Sequence, residues 1–403
     1  MKVQHNEKKE NLVKYKLLYT ALILLVYSIG KGLPLYGIDV AAYMHKTVGA
    51  EDLLLQTIQG DVFKCSLFAL GISPYIISSM LIQIVSAFRK AETRSKISPK
   101  KTQQQTLGMT LVVAIIQAVI GVQGLIFRVS GFELVLAKGI AVVEMVTGAM
   151  IIVWLCSRNK KFGIGGQTAL IFTNIVDGIH ATLKGHGFVS LFVPVLISIF
   201  VMIVDIVMEN SDFRIPVQRI SIHNIYADKN YMAIKLNPIG VMPAMFSSAA
   251  FMIPTLLIAA LNWLNPENST LLWWQDNMSL DKPLGIWIYV ILIYVLSIGF
   301  SRVFINPKDI TEQYLKSGDS LLNIHAGTDT RKYLSKCITG ISIGSATIMA
   351  VCLSIPMILK VTGLVDSSLA ALPSSVLMLT GVWSNIYREI IAVRDLEAYK
   401  PFI

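Results

Sequence analysis

Gly165-Gly166-Gln167-Thr168-Ala169-Leu170-Ile171-Phe172-Thr173-Asn174-Ile175-Val176-Asp177-Gly178-Ile179-His180-Ala181 is more polar than its neighbours, and whether it crosses a membrane decides the fold. Gln167, Thr168, Asn174 and Asp177 make it too polar to be recognised by hydropathy alone. Charge decides instead. Nine other windows are apolar over about the 20 residues that a bilayer core requires: 17–35, 70–88, 107–128, 136–156, 188–208, 240–261, 284–304, 337–359 and 369–393. With 165–181 counted as the fifth of ten and the N-terminus inside, the inner connections hold 27 of the 35 Lys and Arg residues. That is the bias of cytoplasmic loops. Without this span, the basic segments 214–235 and 302–336 fall outside and the bias collapses. The sequence therefore predicts ten spans with both termini cytoplasmic. The polar fifth span is expected to face protein or water, because lipid cannot satisfy its side chains.

Composition supports a membrane protein independently. Hydrophobic residues make up 54% of the 403, and adding the 27 glycines raises the apolar share to about 61%, against roughly 45–50% in soluble chains. Charged residues are 15%, where about 25% is usual, and mean hydropathy is +0.62. A soluble fold of this size lacks the interior to hide so much apolar surface. The net charge of +10 is accounted for by the inner loops, so no nucleic acid partner is expected. Cys65, Cys156, Cys337 and Cys352 are scattered, without a Cys-x-x-Cys pair. They read as small apolar fillers rather than a disulfide framework or zinc site. Residues 1–10 are polar and basic, and no cleavable signal peptide is expected.

Cutting near residue 186 gives 1–186 and 187–403, with five spans each. An odd number per half makes the halves opposite in topology, which is the arithmetic of an inverted repeat with a cleft between halves as the pathway. Long connections stand out. Residues 36–69 contain an amphipathic piece around Asp52–Gly60 that is too short to cross. The inner connections 209–239 and 305–336 read as polar loops with turn chemistry at Arg214-Ile215-Pro216-Val217 and Lys316-Ser317-Gly318-Asp319. Residues 262–283 concentrate Trp263, Trp273 and Trp274, an interfacial anchor pattern.

The intramembrane acids Glu144, Asp177 and Asp205, with Glu133, Glu209 and Glu389 near span ends, admit two readings. They form a coupling-ion site, or they face the bundle interior as hydrogen-bonded structural groups. Gly163-Ile164-Gly165-Gly166 lacks the following Lys and Ser/Thr of a phosphate loop and reads as a flexible lead-in to the fifth span. No nucleophile–base pair, metal-ligand spacing or nucleotide motif appears. The expectation is a protein that is not an enzyme and holds no cofactor.

Several strings occur together and in order. Ser66-Leu67-Phe68-Ala69-Leu70-Gly71-Ile72-Ser73-Pro74-Tyr75-Ile76 resembles the second-span signature of the SecY family of protein-conducting channels. Gly163-Ile164-Gly165 followed by Ile171-Phe172 resembles that family's fifth span, and Arg214-Ile215-Pro216-Val217-Gln218 its loop after span six. Gly240-Val241-Met242-Pro243-Ala244-Met245-Phe246 resembles the start of span seven. Phe304-Ile305-Asn306-Pro307 and Leu315-Lys316-Ser317-Gly318 resemble the loop after span eight. There are departures. The cytoplasmic loops are shortened and the fifth span is one residue short. Asn323-Ile324-His325-Ala326-Gly327 places His325 where the family carries Arg in a Gly-Ile-Arg-Pro-Gly string. This compact, diverged form is most similar to the accessory SecY of Gram-positive bacteria, which works with an accessory SecA to export large Ser-rich glycosylated adhesins.

The resemblance implies an all-α polytopic protein of the bacterial plasma membrane, ten spans in two inverted halves, with an hourglass pore. The pore ring maps to Ile72, Ile76, Ile171, Met245 and Met378, with the sixth position on Gln167 or Thr168. The plug maps to about 52–62. A lateral gate is expected to hydrogen-bond through Ser78, Ser79 and Gln83 on one side and Ser247 and Ser248 on the other. The loops 209–239 and 305–336 become the docking face for a SecA-type ATPase, through Arg214, Lys308, Lys316, His325, Arg331 and Lys332. Secretory preprotein is the expected cargo, and small membrane subunits are candidate companions. The alternative reading is an ion-coupled carrier of a small solute, using Glu144, Asp177 or Asp205.

Overall fold

The computed structural model describes residues 12–39, 65–88, 98–184, 186–218, 230–264, 268–279, 282–361 and 369–398. The chain is helical throughout its membrane part: α1 (Leu12–Lys31), α2 (Ser73–Phe88), α3 (Pro99–Gln123), α4 (Phe132–Phe162), α5 (Gly166–Lys184) and α6 (Phe188–Asn210). After two strands, β1 (Asp212–Gln218) and β2 (Tyr231–Lys235), come α7 (Met242–Leu264), α8 (Ser269–Asn277), α9 (Pro283–Phe304) and α10 (Pro307–Ser317). The short β3 (Ser320–Leu321), α11 (Thr328–Val361) and α12 (Leu372–Ala398) complete the order. Among the described residues, seven helices are long and apolar enough to cross a bilayer, and the apolar parts of α2 and α7 are shorter. With α5 these make ten, one for each expected span: α1 to α7, α9, α11 and α12.

Local chemistry sets several helix ends. Ser98 caps α3 by accepting from the Lys101 backbone N–H, and Pro99 follows at the first helical position, where its missing N–H costs nothing. Asn306 caps α10 in the same way with Pro307 behind it, and Gly318 ends that helix in the left-handed conformation (φ 75°). α11 begins nine residues before its apolar window, because Thr328–Lys336 is a polar helical extension rather than a loop.

Contacts between helix ends fix the order of crossings. On one face, Thr20 of α1 meets Asn159 of α4 and Ile164 before α5. Glu389 of α12 meets Gly165 there, and Arg388 meets Glu209 at the end of α6. On the opposite face, Leu33 and Leu35 pair with the segment before α2, and Asp39 pairs with Arg128 after α3. Tyr36 bonds Glu144 of α4 there, and Lys31 meets Asp177 of α5. These contacts require that 166–184 crosses. The weak span counted by charge is a full helix.

The loops 209–239 and 305–336 differ from the expectation of irregular turns. β1 pairs antiparallel with β2 and with β3, giving the order β2-β1-β3. Ile215, Ile234 and Leu321 are buried with Leu334 and Ile338 of α11, while Tyr314 and Ile310 of α10 pack against them. Strand side chains alternate between faces, so Ile215 and Ile234 point into this small cluster while Arg214 lies exposed on β1. The two connections therefore build one domain on the face where α6, α9 and α12 end.

Candidate functional site

The five side chains expected to form the constriction come from four helices in both halves. Ile72 and Ile76 are each 1% exposed, Ile171 1%, Met245 7% and Met378 0%, and all belong to one apolar cluster. Ile72 lies just before α2, and its carbonyl accepts from the Ile76 N–H at 3.1 Å, which puts both side chains on one face of the first turn. Gln167 and Thr168 are both half-buried. The Thr168 hydroxyl donates to the Gly165 carbonyl at the start of α5. Ile175 is fully buried in the cluster, one helical turn after Ile171. The Ile171/Ile175 spacing repeats that of Ile72/Ile76, and this was the signal available in the sequence.

The lead-in to α5 is not flexible. Asn159, fully buried on α4, donates to the Ile164 carbonyl at 2.9 Å and the Gly166 carbonyl at 3.0 Å. Thr20 of α1 accepts from the Ile164 N–H at 2.8 Å. Gly165 and Gly166 adopt left-handed conformations (φ 79° and 46°) that other residues rarely occupy. The glycines serve a fixed bend that holds α1, α4 and α5 together. Glu389 of α12 adds a bond from the C-terminal half, accepting from the Gly165 N–H at 2.9 Å.

The expected lateral gate is built differently from its sequence reading. Ser78 Oγ donates to the Pro74 carbonyl at 2.7 Å, Ser79 to Ile76 at 2.9 Å, Ser247 to Pro243 at 2.6 Å and Ser248 to Ala244 at 3.1 Å. Each hydroxyl is thus used within its own helix, as serines in apolar helices do when the backbone is the nearest acceptor. Gln83 Oε1 is buried without a hydrogen-bond partner among the described residues. The polar link between α2 and its neighbours is Ser73. It receives a bond from Gln117 of α3 at 3.1 Å and lies 3.6 Å from Met252 Sδ of α7. Ser248 also lies 3.3 Å from the buried Tyr289 hydroxyl of α9.

The acids have mostly structural partners. Asp177 forms an ion pair of 2.6 Å with Lys31, and Asn174 accepts from Tyr27 at 2.8 Å in the same group, tying α1 to α5. Glu144 accepts the Tyr36 N–H at 2.9 Å. Glu209, 3% exposed, pairs with Arg388 at 2.7 Å. Asp205 is 5% exposed, and its Oδ2 finds no hydrogen-bond partner among the described residues. The sequence missed the Lys31 and Arg388 partners because both cations sit near span ends, far from the acids in the chain.

The expected docking residues lie around the small sheet. Arg214 is exposed on β1, 4.6 Å from the Tyr231 ring of β2. Lys308 and Lys316 are exposed at either end of α10, with Lys308 3.8 Å from Glu312. His325 is exposed between β3 and α11, its backbone carbonyl accepting from Thr330 at 2.9 Å. Arg331 and Lys332 are exposed on the first turn of α11. The stretch 52–62, expected to act as a plug, lies outside the described residues.

A family model described as SecY matches residues 66–387. The accessory Sec system protein translocase subunit SecY2 of Leuconostoc gelidum subsp. gasicomitatum is 26% identical, with 96% of both chains covered. Its counterpart in Streptococcus agalactiae is 29% identical, covering 97% of this chain and 96% of the relative. A solved structure described as that of a protein conducting channel matches with a TM-score of 0.69 at 15% identity, over 96% of this chain and 93% of that one.

Proposed function

The chain belongs to the SecY family, and from that premise we propose that it is the central pore subunit of a translocase that passes unfolded secretory proteins across the bacterial plasma membrane. The observation that carries this reading is the packing of Ile72, Ile76, Ile171, Ile175, Met245 and Met378, from four spans in both halves, into one buried cluster. An apolar constriction excludes water and ions. Aliphatic and thioether side chains can re-pack around a passing chain without leaving polar groups unsatisfied. Ile175 takes the sixth position in place of Gln167 or Thr168. Residues 52–62 are the plug beyond this ring. The halves 1–186 and 187–403 part along α2, α3, α7 and α9, where Ser73, Gln117 and Tyr289 provide the polar contacts and Ser78, Ser79, Gln83, Ser247 and Ser248 line the seam.

The sheet face is cytoplasmic, with both termini on that side, and docks a dedicated accessory SecA-type ATPase that supplies the energy. Arg214, Lys308, Lys316 and His325 are its contacts, with Arg331 and Lys332 at its rim. Large Ser-rich glycosylated adhesins are the proposed cargo, and small membrane subunits the proposed companions. A photo-crosslinking amino acid at Met245 or Met378 tests the pore. It is expected to capture a translocation-arrested secretory chain only when motor and ATP are present. Capture that is independent of both, or none beside a functioning motor, rules out this path.

A further inference from the structure

Between the end of α9 and the start of α11 the surface opens into a groove of about 730 Å³. Its walls carry Arg302, Arg331, Lys332 and Lys336 and no carboxylate. Among the described residues none of the four is in an ion pair. The Arg302 guanidinium is held in place by two bonds to the Thr339 hydroxyl, at 3.3 Å from Nε and 3.1 Å from an Nη. Four like charges around an open groove, with Arg302 held in place, favour an anion.

Depth identifies its kind. From Thr339 to the end of α11 at Val361 the helix rises about 33 Å, close to the roughly 30 Å of a bilayer hydrocarbon core. Thr339 and Arg302 therefore sit at the headgroup level, with Lys336 about one turn and Arg331 and Lys332 about two turns further out. The floor continues into the membrane at Gly340 and at Ile343, which is 44% exposed. Further along, α9 and α11 enclose a second, apolar groove of about 380 Å³ that begins at Tyr294 and Ala350. A docked soluble protein cannot enter a site whose floor faces acyl chains. An amphiphile can, with its phosphate on the cations and its chain along Ile343 toward Tyr294.

We propose that the α9–α11 groove binds the headgroup of an anionic glycerophospholipid. Arg302 offers a planar fork to phosphate oxygens, and Lys336, Arg331 and Lys332 supply unpaired positive charge around it. Basic pockets between spans at a membrane surface suit such headgroups. Arg331 and Lys332 also stand at the rim of the proposed motor face, so the lipid contact centres on Arg302 and Lys336.

Native mass spectrometry of the full-length chain from detergent, with phosphatidylglycerol or phosphatidylcholine added, tests it. Phosphatidylglycerol is expected to stay bound at collision energies that strip phosphatidylcholine. Joint Arg302→Gln and Lys336→Gln substitution is expected to cut phosphatidylglycerol retention about tenfold. Gly340→Leu keeps every charge but fills the groove, since a Cβ at Gly340 meets nothing within 4 Å, and it too is expected to lower retention. Joint Lys308→Gln and Lys316→Gln removes the same charge elsewhere and is expected to leave retention unchanged. Equal retention of the two lipids overturns the proposal, as does an equal loss in both charge variants. Full retention in Gly340→Leu, or displacement by millimolar inorganic phosphate, overturns it as well.

Discussion

Gly163 cannot carry a side chain: a Cβ there would lie 2.0 Å from Asn159 Oδ1 and 2.5 Å from Thr20 Oγ1. Both atoms belong to the hydrogen-bonded bend before α5 and cannot retreat without breaking it. Gly163→Ala is therefore expected to destabilise the protein by about 1–3 kcal/mol, read as a lower thermal midpoint in detergent. Gly139→Ala, where a Cβ meets nothing within 4 Å, is expected to leave the midpoint unchanged or slightly raised. The proposed ring residues make a different prediction, as the seal of the proposed path. Ile76→Gly and Ile175→Gly open the apolar cluster and are expected to raise resting ion conductance in planar bilayers several-fold, the constriction losing its dewetted lining. Gln167→Ala, at a half-buried position, is expected to leave it unchanged. Equal conductance in all three variants and the parent would remove the ring assignment. The family resemblance assigned five positions to the proposed ring, and these side chains are buried in one apolar cluster. The sixth assignment fell on the polar Gln167 or Thr168 because the chain is one residue short in this span.

At the scale of elements, the ten membrane helices were legible from apolar windows and loop charge, including α5. The sheet was not. Its strands are short, and β1 pairs with β3, more than 100 residues later in the chain. The alternation in Phe213-Arg214-Ile215-Pro216-Val217 and Tyr231-Met232-Ala233-Ile234-Lys235 was the available signal, masked by Pro216 and by the turn-like composition around it. Contacts between helices were equally out of reach. Arg388 joins α12 to the end of α6 through the nearly buried Glu209, and Arg388→Ala leaves that carboxylate without its cation. A loss of about 2–3 kcal/mol is expected, below the full cost of breaking a wholly buried pair because Arg388 is partly exposed. Arg388→Ala combined with Glu209→Gln should recover much of it, in the same thermal measurement. His325 stands beside the sheet where the resembling family has Arg, and imidazole offers at most two ring donors where guanidinium presents a planar fork of five. His325→Arg is expected to raise the affinity of the reconstituted protein for a housekeeping SecA-type motor several-fold relative to an accessory one. Unchanged relative affinity, measured by equilibrium binding to both motors, removes His325 from the selective contact.

Among the described residues, the two sets of spans are joined by few polar contacts: Glu389 to Gly165 at the sheet face, and Ser73, itself bonded to Gln117, near Met252 deeper in the membrane. Such membrane hydrogen bonds average about 0.6 kcal/mol, which suits the proposed parting of the halves by a competing hydrophobic segment. A coupled carrier needs carboxylates free to take up and release an ion. Asp177 and Glu144 are engaged with Lys31 and the Tyr36 backbone instead, whereas Asp205 is buried with its Oδ2 unpartnered among the described residues. In the proposed function this closed cluster opens to a polypeptide under the drive of a cytosolic motor. Proteoliposomes holding the purified chain with its companion subunits, supplied with an accessory SecA-type ATPase, ATP and a labelled Ser-rich preprotein, measure this through protease protection. Protected full-length preprotein is expected only with both motor and ATP, and is expected to be lost when the ring is bridged shut by a disulfide between cysteines placed at Ile76 and Met245. Protection without motor or ATP, or undiminished protection with the ring cross-linked, would contradict the proposed function.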